Sequence, residues 1–597
     1  MIVNSRVAAL AVVVLAMLPA MIGGPAEAHG PEPEKLVATA VWGCPMCETI
    51  RQAEPGTCPI CKMDLVSMGS GSGEQETSNA AEAVPAHAVK KPLMPGLPNS
   101  IFYGSIVGIL ALSFLLFDFW GRRQRARPDA RAGRWDLFRL PGLRRVVGQR
   151  YFRFWVQLPV FVIFAVVLYA GLFGNQNAAR NLAPVVTWTI WWTWLVIAII
   201  FLGKAWCTVC PWMAVAEWVE RLVNLFAKPN GARRGRRWPR ALRNIWLATG
   251  MFVGLTWLEL GFGVTDRPRL TAMLGLCMVA VSVLTVLVFE RKAFCRYACL
   301  VGRVSGLYAN FSATELRARD KELCRSCGPK GCYKGDSQGD PCPTHQFMGS
   351  MDRNTYCTMC MECVRTCHKD NIAWNVRPPG TDLLEQKRTR VDEAYLAVML
   401  LSMSAFHGLS MTPKWDQFVG WISETGSLGQ LASFSLGMAS MLAVPLILYF
   451  GICLLMKLVA GDHEHSVHTL FIRFSYSLLP IALFYHLAHN LQHIFYEGLK
   501  LVRIASDPFG WGWDLFGTAQ MPISAVLPAS VGWWIQIGLI LVGHIYGLLI
   551  AHRAAYALYD QPRQATLSQL PMLVAMAMFS LQSLWLLSQP MLMRTAM

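Results

Sequence analysis

Ten long apolar runs recur along the chain, near 99-119, 151-173, 184-203, 244-264, 268-289, 393-411, 432-457, 472-496, 531-556 and 568-588. In hydrocarbon a backbone must satisfy its own hydrogen bonds, and a helix of about 20 residues does so across the bilayer core. Hydrophobic residues fill 54% of the 597 positions, with 22 Trp among them, more apolar material than a soluble chain of this length carries. The expected class is therefore an all-α integral membrane protein with about ten transmembrane helices.

Arginine predicts the orientation. The stretches GRRQRARPDARAGRWDLFRLPGLRRVVGQR and ARRGRRWPRALR follow the first and third runs, and such basic loops stay cytoplasmic. The first residues, MIVNSRVAALAVVVLAMLPAMIGGPAEA, have the basic start, apolar centre and small-x-small end (Ala26-Glu27-Ala28) of a secretory signal over 1-28. The mature chain then starts outside at His29. Counting ten crossings from there puts both basic loops and the 290-392 region inside a bacterial inner membrane. The net charge of +17 is thus topological, and no nucleic-acid partner is expected.

Within 290-392 the run YCTMCMECVRTC spaces Cys357, Cys360, Cys363 and Cys367 by two, two and three residues. This is the spacing that wraps three thiolates round one [4Fe-4S] cluster and sends the fourth to a neighbour. Upstream, CRSCGPKGCYKGDSQGDPCP supplies Cys324, Cys327, Cys332 and Cys342. The two-cluster rule assigns Cys324, Cys327, Cys332 and Cys367 to one cluster, and Cys342, Cys357, Cys360 and Cys363 to the other. Two features depart from the rule: four residues separate Cys327 from Cys332, and His368 stands where proline is usual. Disulfides do not suit a reduced cytoplasmic segment, and zinc sites rarely use this spacing.

Two hairpins end alike, in GKAWCTVCPW (203–212) and RKAFCRYACL (291–300). The shared Lys-Ala-aromatic-Cys followed by a second cysteine marks a duplicated unit. Cys207, Cys210, Cys295 and Cys299 are open to three readings: a further metal centre, a dithiol shuttle, or packing thiols. Cys277 and Cys453, alone in apolar runs, read as packing residues.

Over about 150 to 380, the duplicated hairpin and the eight-cysteine segment resemble the NapH/NosR/CcoG-type membrane polyferredoxins. The resemblance implies electron transfer between the quinone pool or a cytoplasmic donor and a periplasmic redox protein or metal ion, often copper. In that family the cysteine pair has three intervening residues and a closing proline; here the first pair has two and Pro211, the second three and Leu300. The covalent-flavin attachment motif of some relatives is absent from the sequence.

Near the N-terminus, VWGCPMCETIRQAEPGTCPICKMDLVSM carries Cys44, Cys47, Cys58 and Cys61, four soft ligands suited to Cu(I), Zn(II) or iron. It resembles the small heavy-metal-binding domain of copper-handling ATPases and efflux adaptors. A structural zinc knuckle and a pair of disulfides are the alternatives. His29 adds an amine-imidazole chelate, and 69-98 reads as a flexible linker.

The eighth run places His486, His489 and His493 at i, i+3 and i+7, one helix face. Matched depths pair His486 with His544 and His407 with His489, as axial ligands of haem b; copper ligation and a proton path are the other readings. His552, His463, His465 and His468 read as solvated near the inner surface.

The expected organisation is a signal over 1-28, a periplasmic heavy-metal module over 29-68, a linker over 69-98, membrane helices over 99-289, a cytoplasmic two-cluster ferredoxin-like domain over 290-392 and a second membrane domain over 393-597. Its expected action is that of an oxidoreductase in the broad sense: iron-sulfur electron transfer to periplasmic metal chemistry or metalloenzyme maturation. The alternative is heavy-metal transport or sensing with regulatory clusters. Against transport, the only acidic residues well inside the runs are Asp118 and Glu259.

Overall fold

The computed structural model describes residues 97–122, 133–226, 235–385, 388–522 and 525–592, with the two-residue strands 42–43, 51–52, 66–67 and 93–94. They fall into two units, one within Leu18–Lys91 and one from Pro92 onward. In the first, β1 (Trp42–Gly43) pairs antiparallel with both β2 (Arg51–Gln52) and β3 (Val66–Ser67). In sequence, Cys44 and Cys47 lie between β1 and β2, and Cys58 and Cys61 between β2 and β3. All four, together with the expected signal, His29 and most of the linker, lie outside the described residues.

The second unit is a helical bundle. Its helices are α1 (Asn99–Arg122), α2 (Phe152–Phe173), α3 (Leu182–Leu202, with a π-turn over Val185–Trp191), α4 (Pro211–Phe226), α5 (Trp246–Gly261), α6 (Pro268–Val288), α7 (Leu300–Tyr308), α8 (Val391–Leu409), α9 (Pro413–Gly426), α10 (Gln430–Ala460), α11 (Val467–Ser475), α12 (Leu478–Glu497), α13 (Ala529–Leu558) and α14 (Pro562–Ser588). The strands Leu93–Met94 (β4) and Met591–Leu592 (β8) pair antiparallel.

Among the described residues, six helices (α2, α3, α6, α10, α13 and α14) are long and apolar enough to cross a bilayer, or up to eight if the bent pairs α8–α9 and α11–α12 each count as one span. The apolar runs predicted ten. Of the remaining runs, α5 has only 16 residues, and α1 is described without interruption only over Asn99–Ser113. The 95° bend between α8 and α9 comes where Thr412 turns extended before Pro413; proline has no N–H to continue a helix and disfavours the helical region for its predecessor. Close helix contact depends on glycine at several places: a Cβ on Gly543 of α13 would meet the Pro480 carbonyl of α12 at 2.8 Å, and one on Gly171 of α2 would meet the Pro268 carbonyl of α6 at 2.7 Å.

The structure is not all helical. A three-stranded antiparallel sheet runs β5 (Trp135–Asp136), β7 (Ile372–Val376), β6 (Thr314–Ala318) in spatial order, with Thr314 opposite Val376 and Ala318 opposite Ile372. All eight ferredoxin-type cysteines lie in the excursion between β6 and β7, so the ladder clamps both of its ends. A buried ion network locks the clamp. Arg377 pairs with Glu315 at 2.6 Å and with Asp382, Arg317 reaches Asp382 at 3.0 Å, and Asn354 N–H donates to Asp382 at 2.8 Å. The excursion meets the bundle at α7, where Gly306 lies too close to the Thr355 carbonyl to accommodate a Cβ.

Candidate iron-sulfur centres and an adjoining cavity

The eight cysteines of the excursion divide between two small cavities. Cys324, Cys327, Cys332 and Cys367 line one, beside Gly331, Phe347 and Ile372. Cys342, Cys357, Cys360 and Cys363 line the other, beside Leu316, Met348 and Met361. Non-glycine residues with positive φ make the necessary tight turns: Lys330 at 50°, Met359 at 58° and Met361 at 63°, conformations rarely adopted unless the surroundings enforce them. Donors already point at sulfur: Asn371 Nδ2 at 3.3 Å from Cys324 Sγ, Asn371 N–H at 3.4 Å from Cys367 Sγ, and Gln346 N–H at 3.2 Å from Cys342 Sγ. Burial pushes the Cys332 thiol up to about 11 and Cys357 to about 12, so iron must displace these protons to bind. Among the described residues, no three His, Cys, Asp or Glu side chains close on one point as they would around a single metal ion. Thiols lining a cavity suit a larger group such as [4Fe-4S].

The hairpin repeat builds a third set. After α3, Gly203 turns at φ +61° and the short helix Trp206–Val209 carries Cys207; Cys210 follows, and Pro211 starts α4. After α6, the short helix Ala293–Tyr297 carries Cys295, and Cys299 caps α7, accepting from Gly302 N–H at 3.3 Å. Cys210 and Cys295 pack in one cluster with Met213 and Val286, and Cys207 lies close enough to act electrostatically on Cys210, Cys295 and Cys299. Burial pushes Cys295 up to about 12 and Cys299 to about 11.

Beside these thiols stand two buried cations. Lys204 Nζ and the three guanidinium nitrogens of Arg303 have no hydrogen-bond partner, and each residue is 1% exposed. Burial, reinforced by Arg303, lowers Lys204 to about 8. An uncompensated buried charge costs several kcal/mol, so a pair of them among four thiols fits an anionic group such as a thiolate-ligated cluster. Sequence reading missed both roles, although the signal was present: Lys204 and Lys292 occupy the same place in the repeat, three residues before Cys207 and Cys295. Lys292 pairs with Glu217 and feels both Cys295 and Cys360. Arg303 lies 4.6 Å over the ring of Tyr356, next to Cys357.

On the membrane side of this set lies a cavity of about 190 Å³ whose walls include Trp206, Pro211, Trp212 and Leu300, the neighbours of Cys207, Cys210 and Cys299. Trp188, Trp191 and Trp192 extend it to Glu259, His407, His486 and His489. His407 Nε2 lies 3.4 Å from Glu259 Oε1, and the rings of His407 and His489 are 6.0 Å apart. Trp192 Nε1 donates to His486 Nε2 at 2.9 Å. The expected pairing of His486 with His544 does not form, because His544 is held between Ser113 Oγ at 2.6 Å and Ser580 Oγ at 2.9 Å, toward α1 and α14. Equal depth along two helices does not fix which faces meet. His552 is buried against Gln569 at 3.0 Å rather than solvated; His465 lies 3.2 Å from Asp462. Cys277 is exposed and Cys453 buried.

Among the described residues, three groups of four cysteines lie beside the apolar helical bundle, and parts of the chain match known families. Residues 41–68 match the heavy metal binding domain, and residues 185–229 and 270–318 match the 4Fe-4S binding domain; the latter two segments contain the hairpin cysteines. The chain is similar to the methylamine utilization ferredoxin-type protein MauN of Paracoccus denitrificans (strain Pd 1222), 31% identical over 133 residues, covering 21% of this chain and 46% of that protein. The chain thus spans about half the length of this relative. No solved structure matches.

Proposed function

We propose that this protein is a bacterial inner-membrane electron carrier that links the quinone pool to soft-metal redox chemistry, most simply that of copper held by Cys44, Cys47, Cys58 and Cys61. One observation carries the reading: the eight excursion cysteines separate into two four-thiol cavities, and the chain neighbours of Cys207, Cys210 and Cys299 line the membrane cavity. The first two sets would each hold one [4Fe-4S] cluster and the third a further iron-sulfur group. When bound, these groups supply one-electron transfer.

The protein's own side chains do the rest. Lys204 and Arg303 provide charge compensation for an anionic group. The tryptophan-walled cavity excludes water and suits the flat ring and apolar tail of a quinol. Glu259 and His407 are placed to accept its hydroxyl protons. Quinol is a better occupant than haem b, because the Nε2 of His407 faces a carboxylate and both ring nitrogens of His544 are engaged by serines. The 290–392 region then lies on the cytoplasmic side, as the basic loops require.

The test is iron, sulfide and pyridine haemochrome analysis of anaerobically purified protein, with quinone titration followed by tryptophan fluorescence. At least about eight iron and eight labile sulfide, no haem, and saturable quenching are expected. Iron well below that, or no quenching, refutes the reading.

A further inference from the structure

The cavity employs Glu259, His407 and His489, but not what lies behind His489. On α12, His489, His493 and Glu497 follow at i, i+4 and i+8, along one helix face. The rings of His489 and His493 are 5.4 Å apart, His493 Nδ1 lies 3.4 Å from Glu497 Oε2, and Lys500 Nζ donates to Glu497 Oε1 at 2.9 Å. None of the four residues is more than 2% exposed. Ionisable groups inside an apolar bundle are costly and mark function more often than packing; here they follow one another closely along the helix, and the near end is a wall of the cavity.

The series leads away from the cysteines. Just before α12, the hydroxyl of Tyr476 donates to Glu393 at 2.8 Å, and Glu393 pairs with Arg353 of the cysteine-rich excursion at 2.8 Å. At about 1.5 Å per residue, α12 carries Glu497 roughly 28 Å further on, near one bilayer core away. There the chain beyond the helix Lys500–Ser506 meets the ends of α2 and α3 remote from the cysteines, through Asn175 N–H to the Phe509 carbonyl at 2.7 Å and Leu182 N–H to the Pro508 carbonyl at 3.2 Å.

Resting on the quinol reading above, we propose that His489, His493, Glu497 and Lys500 form a proton path from the cavity to the face of the bundle opposite the cysteine-rich excursion. Oxidation of one quinol to quinone breaks two O–H bonds and releases two protons and two electrons. The two electrons would go to iron-sulfur groups held by the thiols on the cysteine side, two one-electron acceptors being needed per quinol. The protons pass from the Glu259–His407 pair to His489 and outward. An imidazole relays by taking a proton on one nitrogen and releasing one from the other, and the gaps between rings are of a size that one bridging water or a ring rotation spans. Electrons and protons thus leave by opposite faces.

The test uses the full-length protein in liposomes enclosing a pH-sensitive dye, with decylubiquinol as donor and external ferricyanide as an impermeant oxidant that reads only molecules whose cysteine side faces out. Wild-type protein is expected to acidify the lumen. Glu497→Gln and His493→Phe are expected to slow quinol oxidation and lumen acidification together by about 10²-fold, with iron content and quinone quenching of tryptophan fluorescence unchanged and Glu497→Asp restoring most of the rate. The double variant Glu497→Gln/Lys500→Met guards against an unpaired ammonium that simply unfolds the protein, and is expected to be equally slow. Protons released outside by the wild type, or variants that run and acidify the lumen at the wild-type rate, overturn the path. A wild type that neither binds nor oxidises quinol ends the quinol reading and the path with it, and absent fluorescence quenching identifies that failure before any variant is made.

Discussion

His407 and Glu259 face each other at 3.4 Å across two helices that the sequence separates by 148 positions, on the wall of the same cavity that Trp206 and Leu300 line. Glu259 is the only carboxylate among the described residues that line this apolar cavity.

Replacing that carboxylate tests its role. Glu259→Gln keeps the shape of the side chain and removes the base. Quinol oxidation is expected to fall by about 10²- to 10⁴-fold, while quinone still quenches tryptophan fluorescence with near-normal affinity. Loss of binding instead of turnover would assign Glu259 to packing.

The two excursion cavities are expected to behave as separate centres. Cys360→Ser and Cys324→Ser should each remove about four iron, with different electron paramagnetic resonance signals lost in the two variants and the losses adding in the double variant. If either single variant loses both signals at wild-type folding yield, the division of ligands is wrong.

Lys204 supplies positive charge beside the hairpin thiols. Lys204→Met is expected to lower the midpoint potential of one iron-sulfur signal by tens of millivolts, because reduction adds negative charge that the ammonium no longer offsets. Redox titration with unchanged iron content is the readout. An unmoved potential would leave Lys204 without an electrostatic role.

The clamp on the excursion has a predictable acid limit. Burial alone would raise the carboxyl of Asp382, but Arg377 and Arg317 outweigh it and hold it below its ordinary range; Glu315 is held down in the same way. The unfolded chain therefore binds more protons at acid pH. This stabilisation is fully present above about pH 5 and is lost as pH falls through the folded values. Arg377→Met leaves two buried carboxylates short of a partner and is expected to cost about 3–5 kcal/mol near neutrality, a gap that narrows in acid. Thermal melts in detergent across that range give the answer.

Deleting residues 29–68 should remove bound soft metal and leave the iron content intact, since that module and the helical bundle are separate units. Metal analysis of the truncated protein decides it.

The sequence by itself pointed to the chemistry. Cysteine spacing within a dozen residues predicted iron-sulfur ligands, apolar length defined bundle helices, and a Lys-Ala-aromatic-Cys repeat marked two equivalent hairpin ends. These are local signals, carried by residues close together in the chain. Only tertiary structure decided how many helices are straight and long enough to span, since a 16-residue α5 and the break at Pro413 depend on packing and backbone geometry as well as on hydropathy. It likewise decided which histidines meet, sending His544 to two serines and His407 to Glu259, and it set Lys204 and Arg303 beside the same thiols. Depth along a helix can be counted in residues, but the face a side chain presents to its neighbours is fixed by helix rotation and close approach, which residue spacing does not encode.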